Sequence, residues 1–178
     1  GILLVLSAVY FISVHTGTKK IVVSAVIFVI CCGLGYSDSF AFWEKDLTYE
    51  SESVYNYLQV SEDDREVILS TNVLFGVQSV YMKQDRLTGM YYDYAMAAPL
   101  MVEDKDISDM DVLILGMGTG TYATQCRKYL GDMNVEGVEI DEKITQLSRQ
   151  YFSLPEDIQV TTYDGRAFLN SSDQKYDV

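Results

Sequence analysis

The stretch from Asp111 to Tyr122, DVLILGMGTGTY, limits what this chain can fold into more than any other. Its apolar run, Val112 to Leu115, predicts a buried strand. Gly116, Gly118 and Gly120 then alternate, and the pattern that follows predicts a helix to about Leu130. Glycines let a backbone turn sharply and approach a ligand, and a helix start offers amide hydrogens that have no partner inside the helix. A strand, a glycine turn and a helix in that order predict a ligand platform.

Two further features say which ligand. The glycines are spaced GxGxG, not the GxGxxG of dinucleotide-binding turns. A second predicted strand, Val135 to Ile140, carries Glu139, 19 positions past Gly120, where a carboxylate can accept hydrogen bonds from both ribose hydroxyls. A nucleoside fits both. Capping the helix expected over 142–151 is the alternative for Glu139 and Asp141; it suits Asp141, and Glu139 is the better ligand candidate. In that helix Ile144, Leu147 and Tyr151 recur at helical spacing. A third strand, Ile158 to Tyr163, leads to Asp164-Gly165, so Asp164 either reads the base edge or serves as a turn residue. Alternating strands and helices predict an α/β fold, the start of a doubly wound, Rossmann-like parallel sheet.

Upstream, Tyr55 to Val60, Val67 to Thr71 and Phe75 to Tyr81 are short β-prone runs separated by turn residues, which predicts a small antiparallel sheet. A packed helix interrupted at Pro99 is expected from Tyr91 to Met101. Gly1 to Val14 and Ile21 to Tyr36 are apolar runs separated by the polar Thr16 to Lys20, and they read as the end of one transmembrane helix, a loop and a second helix that must run on through Ser37 and Asp38 toward Phe42 and Trp43 to span a bilayer. A signal peptide and a buried hairpin are the competing readings. The domains expected are a transmembrane segment at 1–43, a small β-domain at 44–90 and a nucleoside-binding α/β domain at 91–178.

Charge follows the same boundary. Of 13 basic and 26 acidic residues, only Lys19, Lys20 and Asp38 lie in the first 43 positions, which leaves 11 basic and 25 acidic side chains beyond them, a formal charge of −14. Such a surface repels nucleic acid phosphates; it either attracts a cationic substrate, a polyamine for example, or is simply a solvated acidic face. Cys31, Cys32 and Cys126 form no CxxC pair, and His15 is the only histidine, so neither a disulfide framework nor a metal site is expected.

VLILGMGTGT, VEGVEIDEKI and DGRAFLNSSDQKYDV resemble the successive cofactor motifs of the polyamine aminopropyltransferases, the spermidine and spermine synthases. ESVYNYLQV, VQSVY and LTGMYYDYAMAAPL resemble the β-domain and entry helix of the same family, in the variety fused to transmembrane helices. The resemblance implies transfer of an aminopropyl group from decarboxylated S-adenosylmethionine to putrescine or a similar amine. It implies that Gly116, Gly118, Thr119, Gly120, Glu139, Asp164 and Gly165 bind the nucleoside, and that Tyr91, Tyr92 and Asn56 line the amine site.

Three departures from the family pattern matter. Thr119 stands where the family has an Asp that helps recognise the amino group of the decarboxylated cofactor, which makes a methyltransferase using intact S-adenosylmethionine the alternative. Asn56 replaces a Gln, and Tyr92 replaces a His or Gln. The family's catalytic Asp, the general base, is expected beyond Val178, so this segment alone should be inactive. A third alternative is a non-catalytic, membrane-anchored domain of synthase-like fold. The partners expected are a polyamine, a membrane and, as an open option, a second copy of the chain, with no nucleic acid. The positive-inside rule applied to Lys19 and Lys20 opposes a cytosolic α/β domain, whereas nucleoside chemistry favours one. A multi-pass membrane location with that domain in the cytosol is the expectation.

Overall fold

The computed structural model describes residues 5, 8–10, 13–14, 17–34, 46–72 and 76–178. They fall into two units divided after Trp43.

In the first unit, α1 (Thr18–Leu34) is apolar on every side, and Val22, Val23, Val26, Ile27, Phe28, Val29 and Ile30 are each more than half exposed. No helix among the described residues is long and apolar enough to cross a membrane. With 17 residues, α1 rises about 26 Å against a hydrocarbon core of about 30 Å. The expected spanning helix is thus not found there. Its continuation toward Trp43, and most of the run from Gly1 to Val14, lie outside the described residues.

The second unit opens with four antiparallel strands in sequence order, β1 (Leu47–Glu52), β2 (Tyr57–Glu62), β3 (Glu66–Thr71) and β4 (Val77–Met82). Alternation decides the inner face: Leu58, Val60, Val67 and Leu69 are buried. The β2–β3 turn is shaped by Asp63, whose Oδ1 accepts the amides of Arg65 at 2.7 Å and Glu66 at 2.8 Å. β1 was not among the predicted strands, and Phe75, the expected start of the last one, lies outside the described residues.

A short helix, α2 (Tyr91–Ala95), leads to 3-10 turns at Pro99–Met101 and Ile107–Asp109. The expected helix to Met101 therefore stops early. Before Pro99 the ladder has already tightened, Ala97 N donating to Tyr94 O at 3.0 Å and Ala98 N to Ala95 O at 2.9 Å; Ala98 keeps helical backbone, and Pro99, with no amide hydrogen to give, opens the first 3-10 turn.

The α/β part follows as β5 (Asp111–Leu115), α3 (Thr121–Leu130), β6 (Asn134–Glu139), α4 (Glu142–Tyr151), β7 (Gln159–Thr162) and α5 (Gly165–Ser171). The three strands are parallel in the order β5-β6-β7, with Ile114 opposite Gly137 and Glu139 opposite Thr162. On the free side of β5, Leu113 N donates to Val178 O at 2.9 Å and Asp177 N to Asp111 O at 2.8 Å. The chain therefore crosses back over the sheet after β7. Ligand crevices open at such reversals, at the carboxyl ends of the strands.

Two clusters hold this unit together. Met110, Val112, Ala123, Cys126, Met133, Val135, Leu154 and Ile158 join the parallel sheet to α3. Leu58, Val60, Val67 and Leu69 of the small sheet pack on Ile144, Leu147 and Phe152 in and after α4. The small sheet is thus fastened to the helix that follows Glu139.

Candidate functional site

Gly116, Gly118 and Gly120 have φ of 69°, 59° and 78°, the left-handed region that costs other residues about 1–2 kcal/mol each. The amides of Gly116 and Met117 donate to Val138 O at 2.9 and 3.1 Å, carrying the β5–β6 ladder into the turn. Met117 points inward over Gly137, where a Cβ would collide with its sulfur and lie 3.2 Å from its Cβ. The strand glycine makes room for the turn.

Glu139 ends β6 and is 6% exposed. Its Oε2 accepts the Gly118 amide at 2.8 Å, and its Oε1 accepts the Asp141 amide at 3.0 Å. A carboxylate has about four acceptor positions, so two remain for a diol. The acid and the glycine turn, 19 residues apart in sequence, are one hydrogen-bonded unit.

Thr119 is fully buried, its hydroxyl 3.2 Å from that of Thr121 and its amide facing Ser79 Oγ at 3.5 Å. The turn offers no carboxylate at this position. β4 lies over the turn: a Cβ on Gly118 would meet the Gln78 side chain, and Gln78 accepts a hydrogen bond from Ser79. Neither Gln78 nor Ser79 stood out in the sequence, because β4 reaches the turn through tertiary packing that no local pattern records.

Asp164 is exposed at the end of β7 and caps α5, its Oδ1 accepting the Ala167 amide at 2.8 Å. Gly165 lies beneath Leu115: an added Cβ would be 3.6 Å from that side chain. Leu115 and Ile140, at the ends of β5 and β6, are partly exposed and give this edge an apolar surface that the sequence reading did not single out. Asp141 does cap α4, accepting the Lys143 amide at 3.1 Å.

The other three candidates fall in different settings. Tyr91 is 72% exposed, whereas Tyr92 is 5% exposed and its hydroxyl accepts the Val80 amide at 2.9 Å. Burial pushes the Tyr92 hydroxyl pKa above its ordinary value. The two rings meet edge to face, 5.0 Å between centroids. Asn56 does not join the glycine turn directly: its Nδ2 approaches Asp141 Oδ2 at 3.4 Å.

Asp93, also absent from the sequence reading of the site, ties α2 to α3. It accepts hydrogen bonds from Thr88 Oγ1 at 2.7 Å, Gly89 N at 2.6 Å and Gln125 Nε2 at 2.8 Å. Burial disfavours its charged form, but the hydrogen bonds from Thr88, Gln125 and Gly89 outweigh that and hold the carboxyl below the ordinary aspartate value. No group of three or more His, Cys, Asp or Glu among the described residues is arranged to hold a metal.

A family model described as the spermine/spermidine synthase domain matches residues 90–178. The chain is 57% identical over 170 residues to a "probable polyamine aminopropyl transferase" of Bifidobacterium longum, which covers 96% of this chain and 37% of that protein. The chain thus spans little more than a third of that relative. Among solved structures, a probable spermidine synthase of Corynebacterium glutamicum has a TM-score of 0.58 at 20% identity, covering 69% of this chain and 47% of its own. A spermidine synthase solved with the transition-state analogue AdoDATO has a TM-score of 0.57 at 15% identity, covering 74% and 45%. At these identities the structural likeness establishes the fold, a small antiparallel sheet followed by a methyltransferase-like parallel sheet.

Proposed function

Because the chain belongs to the spermine/spermidine synthase family, we propose that the full-length protein moves an aminopropyl group from decarboxylated S-adenosylmethionine to putrescine or a similar amine. The observation that carries this is the Glu139 carboxylate, held against the Gly118 amide with acceptor positions left over for a ribose diol. The Bifidobacterium relative bears the name of this activity.

In this reading Gly116, Gly118 and Gly120 let the backbone approach the nucleoside, and Glu139 takes its ribose hydroxyls. Asp164 keeps one carboxylate oxygen for the base edge while the other caps α5. Tyr91, exposed on α2, lines the amine site. The reaction is a direct displacement: the amine lone pair forms a bond to the carbon next to the sulfonium, the C–S bond breaks, and methylthioadenosine leaves. The nitrogen then loses a proton to a base. The test is incubation of the full-length protein with putrescine and decarboxylated S-adenosylmethionine. Spermidine and methylthioadenosine in equal amounts support the reading; neither product overturns it.

One observation favours a second reading. Thr119 is buried with its hydroxyl on Thr121, so the turn has no acid at the position where the family recognises the aminopropyl ammonium. A methyltransferase using intact S-adenosylmethionine follows if the carboxylated form displaces the decarboxylated one in competition.

We also propose that the N-terminal unit attaches the protein to a membrane, with the α/β domain on the cytosolic side. Support comes from α1, which exposes apolar side chains around its whole circumference. Fractionation checks this: the full-length protein should stay with membranes after an alkaline carbonate wash, and release into the wash would refute attachment.

A further inference from the structure

Glu139 is held from two sides, and one of them leads out of the parallel sheet into the small one. Its Oε1 accepts the amide of Asp141. Asp141 is 2% exposed, so its carboxylate must find partners within the protein. Oδ1 takes the Lys143 amide at 3.1 Å, and Oδ2 is reached by Ser53 Oγ and Asn56 Nδ2 from the loop between β1 and β2.

The Ser53 hydroxyl suits that task. It accepts the amides of Tyr55 at 3.0 Å and Asn56 at 2.9 Å, which fill its acceptor positions, and of the two acceptors in reach of its one hydrogen, the Asn56 carbonyl at 3.2 Å and the Asp141 carboxylate, the carboxylate is the nearer and the charged one. Lys143 closes the same hairpin from the other side, donating to Ser51 Oγ at 2.7 Å and to the Glu52 carbonyl. Two segments 88 residues apart are thus joined at the residue whose amide positions Glu139.

We infer that the β1–β2 hairpin is a positioning device for the nucleoside acid, with Ser53, acting through Asp141, fixing where the Glu139 carboxylate sits. The inference rests on the nucleoside reading above and adds to it a role for the small sheet. Without the Ser53 hydroxyl, Asp141 Oδ2 keeps only the long contact to Asn56. A buried carboxylate short of a donor draws its backbone toward another. The Asp141 amide moves with it, and Glu139 loses its register with a diol that it must meet at two oxygens. Asn56 serves the same clamp through its contact to Asp141.

Calorimetry of the full-length protein with methylthioadenosine tests this, together with steady-state kinetics. Ser53→Ala should raise the Kd roughly tenfold and the KM for the nucleoside substrate in parallel, leave the KM for the amine unchanged, and lower the melting temperature by only a few degrees. Ser53→Thr, which retains the hydroxyl, should restore binding. Wild-type affinity in Ser53→Ala overturns the inference and leaves the nucleoside reading standing. No binding by the wild-type protein overturns both. If Ser53→Ala melts far below wild type, Asn56→Ala decides: a Kd raised two- to threefold supports the clamp, and an unchanged Kd overturns it.

Discussion

The Glu139 carboxylate accepts the Gly118 amide hydrogen at 2.8 Å, so the acid that closes β6 also braces the glycine turn. Glu139→Gln keeps the shape but replaces one acceptor with an NH2 group that faces an amide hydrogen. Unfolding in urea should show a loss of about 1–2 kcal/mol, the cost of one compromised hydrogen bond to a buried group. A variant as stable as wild type would mean that the brace contributes nothing.

Neighbouring tyrosines should respond in opposite ways. Tyr92→Phe leaves the Val80 amide without its buried acceptor and should cost about 1–2 kcal/mol in thermal or urea unfolding. Tyr91→Phe, at a side chain that is mostly exposed, should leave stability within about 0.5 kcal/mol of wild type. Its effect should appear instead as a raised KM for the amine.

Met117 and Gly137 should be energetically coupled. An alanine at Gly137 drives its Cβ into the Met117 side chain, an overpacking cost of about 1–3 kcal/mol. Met117→Ala alone should cost about 2–4 kcal/mol by leaving a cavity. The double variant should be less destabilised than the sum, by at least about 0.5 kcal/mol, because each change relieves the other. Urea titrations of the four proteins measure that difference.

Asp93 should give the fold an acid-sensitive component. Its carboxyl is held below the ordinary value of 3.8, so the unfolded chain takes up the proton first as pH falls. The stability Asp93 contributes is complete above the ordinary value and is lost as pH drops through the lower, folded one. Asp93→Asn should cost about 1–2 kcal/mol at neutral pH and flatten the decline of melting temperature below about pH 4.

The parts of the site that were legible in sequence are those set by neighbours along the chain. The strand before Gly116, the alternating glycines and the acid on the next strand follow from local spacing, and the Gly118–Glu139 hydrogen bond joins them. β1 was missed because LTYESE mixes acidic and apolar residues at an edge with only a half-buried inner row. α5 was missed because it is short, and Asp164, its cap, stood equally well as a turn residue. Contacts between remote segments left no local trace. Nothing in ESVYNY says that Ser53 reaches Asp141, and nothing in GVQSVY says that Gln78 covers Gly118. Tyr92 shows the converse: one position from Tyr91 on a helix, it faces the sheet instead of solvent, a difference of face that the sequence of so short a helix does not fix.

The most direct test of the account is titration calorimetry of decarboxylated S-adenosylmethionine into the full-length protein and its Glu139→Gln variant. The wild type should bind one molecule per chain, tighter than intact S-adenosylmethionine, and the variant should bind at least about tenfold more weakly. No heat of binding to the wild type, or equal affinity in the variant, would contradict it.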